Sequence, residues 1–567
     1  MTDHYKDSII KGLDKLYEFE AEPVHKNKLQ PGRHFAGVFA GEHVAGTEFV
    51  IGALFVAWGV NAIDIFVGLL IGNAMAVLTW TLVCAPIAVR TRLTLYWYLR
   101  KIAGPVTTAI YNVLNAILFC ILAGCMITVS ASAVRIPFGI PAQTNWYPQD
   151  IRFVMVVIVV GAVVVTLAIL GFKKLAQFAE VCSPWMFLMF IAGAIAMLPG
   201  LAAKTASVGQ IDGFSAFWTL ANKAIWTGTT PTGGARIGFP HVAAFAWICN
   251  LAMHGGLSDM ALLRYAKKVS YGLYSAFGMF LGHYLAWICA GIMGAATALI
   301  LKTSISEIDA GGVAMQALGV SGILAVVIAG WTTSNPTLYR AGLAFQAVTP
   351  GWPRWLVTLV AGAATTVIAC FPFVFTKLLN FVGYYGLLLM PVGAIVFTEH
   401  WLFPKLGLTQ YWVSRKKLVF SWPALASWAI AIAVALTLEQ TGTLHLFFLF
   451  VPVWFLTTVL YIIFSSLAGA RQKLPELPED KIHPDAVAEI GSQDEQPAQK
   501  TDISLWVCGI TAVAMLALCL GGSVWVFVAG PGQYDGRIDN FHKMLIWPTL
   551  IYFVTGTIWA VKRDKVK

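Results

Sequence analysis

Charge is what this sequence lacks. Only 12% of its 567 residues are Asp, Glu, Lys or Arg, 58% are hydrophobic, and mean hydropathy is +0.73. A soluble domain carries about 25% charge to cover its surface, so the composition excludes that class and implies an integral membrane protein. The residue-by-residue alternation of an outer-membrane barrel is also missing, which leaves helical spans. Paired cysteines are missing too. The nine present are scattered, mostly inside apolar runs and without a CxxC, and so read as small core hydrophobes rather than a disulfide or zinc framework. There is no cofactor motif and no HExxH. The net charge of +10 lies in short loops rather than in one patch, so no nucleic-acid partner is expected. The opening stretch MTDHYKDSIIKGLDKLYEFEAEPVHKNKLQ is polar and mixed in charge, unlike a cleavable signal peptide.

What is present is a series of apolar runs, each near the roughly 20 residues that cross a bilayer as a helix. They predict about fourteen spans, near 35–60, 62–90, 105–134, 153–171, 177–200, 238–263, 271–301, 319–347, 355–375, 378–402, 418–438, 444–469, 504–530 and 544–561. Most of the 38 Lys and Arg fall on one side of this layout, in RTRLTLYWYLRK, FKKLAQF, RYAKK, SRKK and the tail KRDKVK. The positive-inside rule then puts both termini in the cytoplasm of a cell (inner) membrane. The expected division is an N-terminal tail (1–34), a ten-helix core (35–402, in halves 35–200 and 238–402), two further helices (403–469), a charged, Pro-rich cytoplasmic linker (470–503) and two appended helices (504–567). The external connection 201–237 is long enough for a short amphipathic helix.

Three spans carry polar groups and helix breakers together. The first holds GEHVAGTE (Gly41–Glu48), the sixth CNLAMHGGLSD (Cys249–Asp259), and the eighth AGWTTSNPTLY (Ala329–Tyr339). Glycine pairs and proline free backbone groups that are tolerated at membrane depth only beside a polar cavity or buried by protein. Ionisable residues there are costly and usually face a site. The first and sixth spans stand five apart, the spacing of an inverted repeat in transporters with a midplane site. Elsewhere plainer readings suffice. His283 reads as a buried, hydrogen-bonded histidine, Glu180 and Glu399 as interfacial residues at span ends, and Asp259 with Arg264 as an ion pair.

Three of these stretches, AGWTTSNPTLYRAGL, LNFVGYYGLLLMPVGAIVFTEHWL and GGLSDMALLRYAKK, resemble the eighth, tenth and sixth helices of the nucleobase–cation symporter-1 family, the purine–cytosine and hydantoin permeases. The resemblance covers roughly residues 30–470. It implies an all-α, LeuT-like five-plus-five inverted-repeat bundle with additional C-terminal helices, and a sodium site between the first and eighth helices. Carried over by position, Thr332 and Thr333 supply hydroxyls, and Ala329, Ala40 and His43 supply carbonyls. Substrate contacts fall at Val44, Phe119, Trp247, Asn250 and Asn335. Phe119 and Ala123 stand where the hydantoin permease has tryptophan and glutamine, and the first helix carries two glutamates that familiar members lack.

Glu42 and Glu48 are therefore the departure to explain. They could hold a positive charge or donors of the substrate, add charge to the cation site, or carry a coupling proton. The expected function is symport of a nucleobase or related small nitrogen heterocycle, coupled to Na⁺ or else to H⁺. The alternatives are a permease for a cationic substrate, or a sensor that binds without flux. An enzyme is not expected, because His43, His254 and His283 lie on three spans with no catalytic partner motif.

Overall fold

A computed structural model describes residues 16–143, 145–205, 208–230, 233–234, 236–305, 308–372, 378–477, 503–530 and 532–565. The described elements are helices, with no strand among them. Ten of these helices are long and apolar enough to cross a membrane, eleven if the bent first pair counts as one span. The sixth, eighth and ninth of the expected spans fall short of that measure for visible reasons. The sixth is split into Phe239–Ile248, Leu251–His254 and Met260–Leu263, the ninth is short (Arg354–Ala369), and the eighth (Val320–Gln346) has a polar middle. Most of the expected linker 470–503 lies outside the described residues.

The first span is broken, as its glycines and charges suggest. Its leading half, Gly32–His43, and trailing half, Glu48–Ala57, meet at 51°. The sixth breaks at Cys249–Asn250 and again through Gly255–Asp259, where Leu257 takes a left-handed φ of 63°. The eighth differs from expectation: it runs unbroken through Pro336. Proline removes one ladder bond, while the Thr333 and Thr337 hydroxyls bond back to Ala329 O (3.0 Å) and Thr333 O (2.7 Å). Burial on almost every face then holds the helix straight.

Two glycines show how tightly the bundle is drawn together. Gly104, at φ 74°, bends the long third helix (Leu95–Val134), and a Cβ there would lie 2.8 Å from the Val419 backbone. Gly282 of the seventh helix (Val269–Leu301) lets the break in the first span press against it: a Cβ would come within 2.0 Å of the His43 carbonyl oxygen.

Ionic clusters clasp the end of the bundle where the chain begins. Arg264 donates to the carbonyls of Phe19 (2.6 Å) and Glu18 (2.7 Å), and the Glu18 carboxylate accepts from Tyr265 (2.6 Å) and Tyr339 (2.8 Å). Nearby, Glu20 is buried beside Arg354 (3.5 Å), and that burial pushes its carboxyl above the usual range. The last helix, Ile546–Lys565, lies along the fifth, Phe172–Ala203, with Trp185 donating to Thr549 (3.2 Å) and Tyr552 to Val181 O (2.7 Å). Its Asp564 pairs with Arg33 (2.8 Å) and bonds Gln177, and its Arg563 pairs with Glu180, which also faces His34 at 3.3 Å. Glu180 is thus tied to the appended helix, which the interfacial reading did not foresee.

Candidate functional site

The break in the first span places Glu42 and Glu48 on opposite sides of a turn, each 3% exposed. Glu42, at the end of the leading half, is gripped by both terminal nitrogens of Arg340 (2.6 and 2.9 Å). The same guanidinium bonds Asp259, through Nε at 2.9 Å and again through Nη2, and Trp80 donates its indole N–H to the other Asp259 oxygen (2.5 Å). Asp259 therefore pairs with Arg340, not with Arg264 as expected, because Arg264 is turned to the N-terminal segment. Fork geometry and full hydrogen bonding are what allow an ion cluster to be buried.

Glu48 begins the trailing half, where the positive end of the helix dipole favours a carboxylate. Its partners are weaker. The Trp287 indole donates to Oε2, and His283 Nε2 stands 3.6 Å from Oε1. Asn250 Nδ2 lies 3.4 Å from His283 Nδ1 and donates to it, which leaves the ring proton on Nε2, toward Glu48. His283 stacks on Trp287 at 4.3 Å, and no Lys or Arg pairs with Glu48 among the described residues. The lone seventh-helix histidine, read from sequence as structural, is a wall of the site.

Both glutamates line a cavity of about 50 Å³ between the broken segments, with Ala45, Thr47, Asn250, His283 and Thr333. Leu122, Met126, Met253, Val382 and Tyr385 make the rest of its wall largely apolar. Thr333 joins this cavity to a second cluster of oxygens. Its hydroxyl bonds Glu42 O (2.9 Å) and Ala329 O (3.0 Å), and Thr332 Oγ1 also reaches Ala329 O (3.1 Å), with Met186 Sδ behind it at 3.7 Å.

The other expected residues divide. Asn250 lines the cavity. Phe119 stands one layer back, edge-on to Tyr385 (6.0 Å) and 6.0 Å from the Arg340 guanidinium, and Val44 is buried at the break without lining the space. Trp247 does not reach it: its indole donates to Thr79 (3.0 Å) and its ring packs on Phe450 (4.8 Å). Asn335 is buried outside the cavity, and its amide meets no partner among the described residues. Of the backbone oxygens, Ala40 O accepts from Val44 N (2.9 Å), and His43 O faces Gly282 on the seventh helix. The carbonyl that meets Thr333 is that of Glu42, which lies between the two in sequence.

No protein-family model and no curated protein matches the chain. Solved structures do. Mhp1, a nucleobase-cation-symport-1 family transporter, in a closed conformation with bromovinylhydantoin bound, aligns with a TM-score of 0.63 at 16% identity, over 83% of this chain and 100% of that one. Mhp1 in an inward-facing conformation gives 0.61 at 16% identity, over 84% and 98%. A Na⁺-coupled sialic acid symporter in a substrate-bound, outward-open state gives 0.56 at 14% identity, over 79% and 92%. At these identities the likeness is one of fold. The chain has the all-helical, LeuT-like fold of these structures, with breaks in its first and sixth spans.

Proposed function

We propose that this chain is a secondary active transporter, which couples a cation, sodium first, to symport of a small nitrogen heterocycle by alternating access. The observation that carries this reading is a mostly apolar cavity with two buried glutamates in its wall, lined by two broken helices five spans apart, in a fold shared with Mhp1 and a Na⁺-coupled symporter. Unwound backbone and half-helix ends are the usual material of substrate and ion sites in such transporters.

The residues present fit a sodium ion. The Thr332 and Thr333 hydroxyls both reach the Ala329 carbonyl, and Thr333 also reaches that of Glu42, and a hard cation takes several oxygens of this kind. Ala40 and His43 remain the family-derived candidates, although His43 O would have to turn from Gly282. When bound, the ion would supply coupling by favouring one conformation over another.

The chain's own residues do the rest. At about 50 Å³ the cavity is far below the roughly 300–1,000 Å³ of ordinary ligand pockets, so a heterocycle enters only when the surrounding helices part. Asn250 can donate and accept, which suits a ring edge, and Tyr385 offers an aromatic face. The Arg340 cluster joins the leading half of the first helix to the sixth and eighth, so these elements move together or the cluster opens.

The test is uptake of a panel of small nitrogen heterocycles, neutral (cytosine, hypoxanthine, hydantoin, allantoin) and cationic (thiamine), into liposomes under sodium and proton gradients, with transport of any one of them as the readout. Sodium-driven uptake that becomes sodium-independent in Thr333→Ala is the expected result. Full sodium dependence in that variant would remove the ion site from the first and eighth helices.

A further inference from the structure

We propose that Glu48 is the anchor for a positively charged substrate: the cargo is an organic cation, such as an amidinium, a protonated amine or a quaternised ring nitrogen. This rests on the transporter reading above and names its substrate class.

The argument begins with charge. Around the cavity stand three buried carboxylates, Glu42, Glu48 and Asp259, and one guanidinium, Arg340. The nearby imidazoles do not correct the balance. Asn250 donates to His283 Nδ1, and His43 Nδ1 meets Phe39 O at 2.7 Å, where it must donate, so the contacts of both rings are satisfied by neutral imidazole. With all three carboxylates ionised, two negative charges would be left over. One belongs to the Arg340 cluster, whose carboxylates are already held by several close bonds. The other is Glu48, with an indole, an imidazole and a helix end, but no Lys or Arg among the described residues.

A buried carboxylate without a counter-charge is costly, so it either holds a proton or gives that proton up when a cation binds. The neighbours of Glu48 decide which kind. The groups nearest its oxygens are N–H donors from Trp287 and His283, which add no oxygen ligands for a metal ion. The remaining wall is Ile51, Leu122, Met126, Met253, Val382 and Tyr385, a surface for an organic body. A carboxylate at one side and apolar and aromatic groups around the rest fit a cation with its charge at one edge. The oxygen-rich cluster at Thr333 stays free for the coupling ion, so the two positive charges have separate seats.

The experiment is thermal unfolding of the purified full chain in detergent, with NaCl or N-methylglucamine chloride. The probes are thiamine, benzamidine and tyramine, against neutral uracil, hypoxanthine and benzamide. Wild type is expected to be stabilised by at least one cationic compound and by none of the neutral ones. In Glu48→Gln that ligand should bind roughly ten- to a hundredfold more weakly, as for loss of a hydrogen bond to a charged group. Asp150→Asn, in the loop before the fourth helix, should bind as wild type does. Neutral heterocycles that stabilise wild type and Glu48→Gln alike would overturn the charged-substrate assignment and leave the transporter reading intact. A shift caused by sodium alone and lost in Glu48→Gln would assign the carboxylate to the ion and overturn it as well. No shift with any compound in either salt would overturn both readings.

Discussion

The two halves of the first span lie four residues apart and treat a buried carboxylate in opposite ways. In the leading half, Glu42 receives both forks of Arg340, and Arg33 and His34 are clasped by Glu180 and Asp564. In the trailing half, Glu48 has an indole, a nearby imidazole and no cation. A carboxylate gripped by a guanidinium holds two helices in register. One placed beside a cavity without a counter-charge holds nothing until a partner arrives. A buried ion cluster contributes little net stability, yet breaking one is expensive, and this asymmetry makes the comparison testable.

The largest expected effect is from Arg340→Leu. It leaves Glu42 and Asp259 buried together with no counter-charge, at a cost of about 3–5 kcal/mol. The expected outcome is failure to recover monodisperse protein on size exclusion, with Arg340→Lys retaining partial folding because it keeps the charge and loses the fork. Glu48→Gln is the opposite arm. Without ligand it should unfold within about 1 kcal/mol of wild type, or above it, since a neutral amide replaces a charge with no cation. A loss of several kcal/mol in Glu48→Gln would mean that Trp287 and His283 cement this half as firmly as Arg340 cements the other.

Next in size is Gly282→Ala. The added methyl would fall 2.0 Å from the His43 carbonyl oxygen, on backbone that cannot swing aside as a side chain would. Overpacking of this kind costs about 1–3 kcal/mol. The melting temperature should fall, and because the strain is delivered to the break itself, ligand stabilisation should fall with it. An unchanged melting temperature would mean that the break is pliant, and the rigid-against-open contrast would weaken.

These contrasts were only partly visible in the sequence. The break at Gly41–Glu48 was legible because glycines and charges interrupt an apolar run, and the sixth-helix break was legible for the same reason. The matching of charges was not. Arg340 stands close to the end of its span, where arginines usually meet lipid headgroups or water, and it is buried between Glu42 and Asp259 only because the eighth helix packs against the third and the first. Once it is there, Asp259 abandons the nearby Arg264. His283 gave no signal as a single histidine among apolar residues, and it becomes a wall of the site only because a ten-residue π-helical stretch, Phe277–Ala286, sets its register toward Glu48. Trp247 misled in the reverse direction: it adjoins the break, but Thr79 on the second helix offers its indole a partner and draws it away. Periodicity and breakers report where a helix stops, and say little about which neighbour a long side chain will find.

The smallest effect should come from Asp564→Asn, which tests whether the appended last helix belongs to the gripped side of the comparison. The carboxylate bonds Arg33 and Gln177 and faces His34 at 3.8 Å, while Arg33 is 26% exposed and keeps a second carboxylate, Glu180, at 3.8 Å. Part of the interaction is therefore screened by water, and part is taken over by Glu180. The cost should be no more than about 1 kcal/mol, and it should shrink further in high salt. Glu180→Gln should cost more, because Glu180 serves Arg563, Arg33 and His34 at once. If Asp564→Asn instead lowers the melting temperature as far as Glu180→Gln, the last helix is a principal fastening of the leading half. The matched side of the first span would then owe its rigidity to the appended C-terminal helices as much as to Arg340.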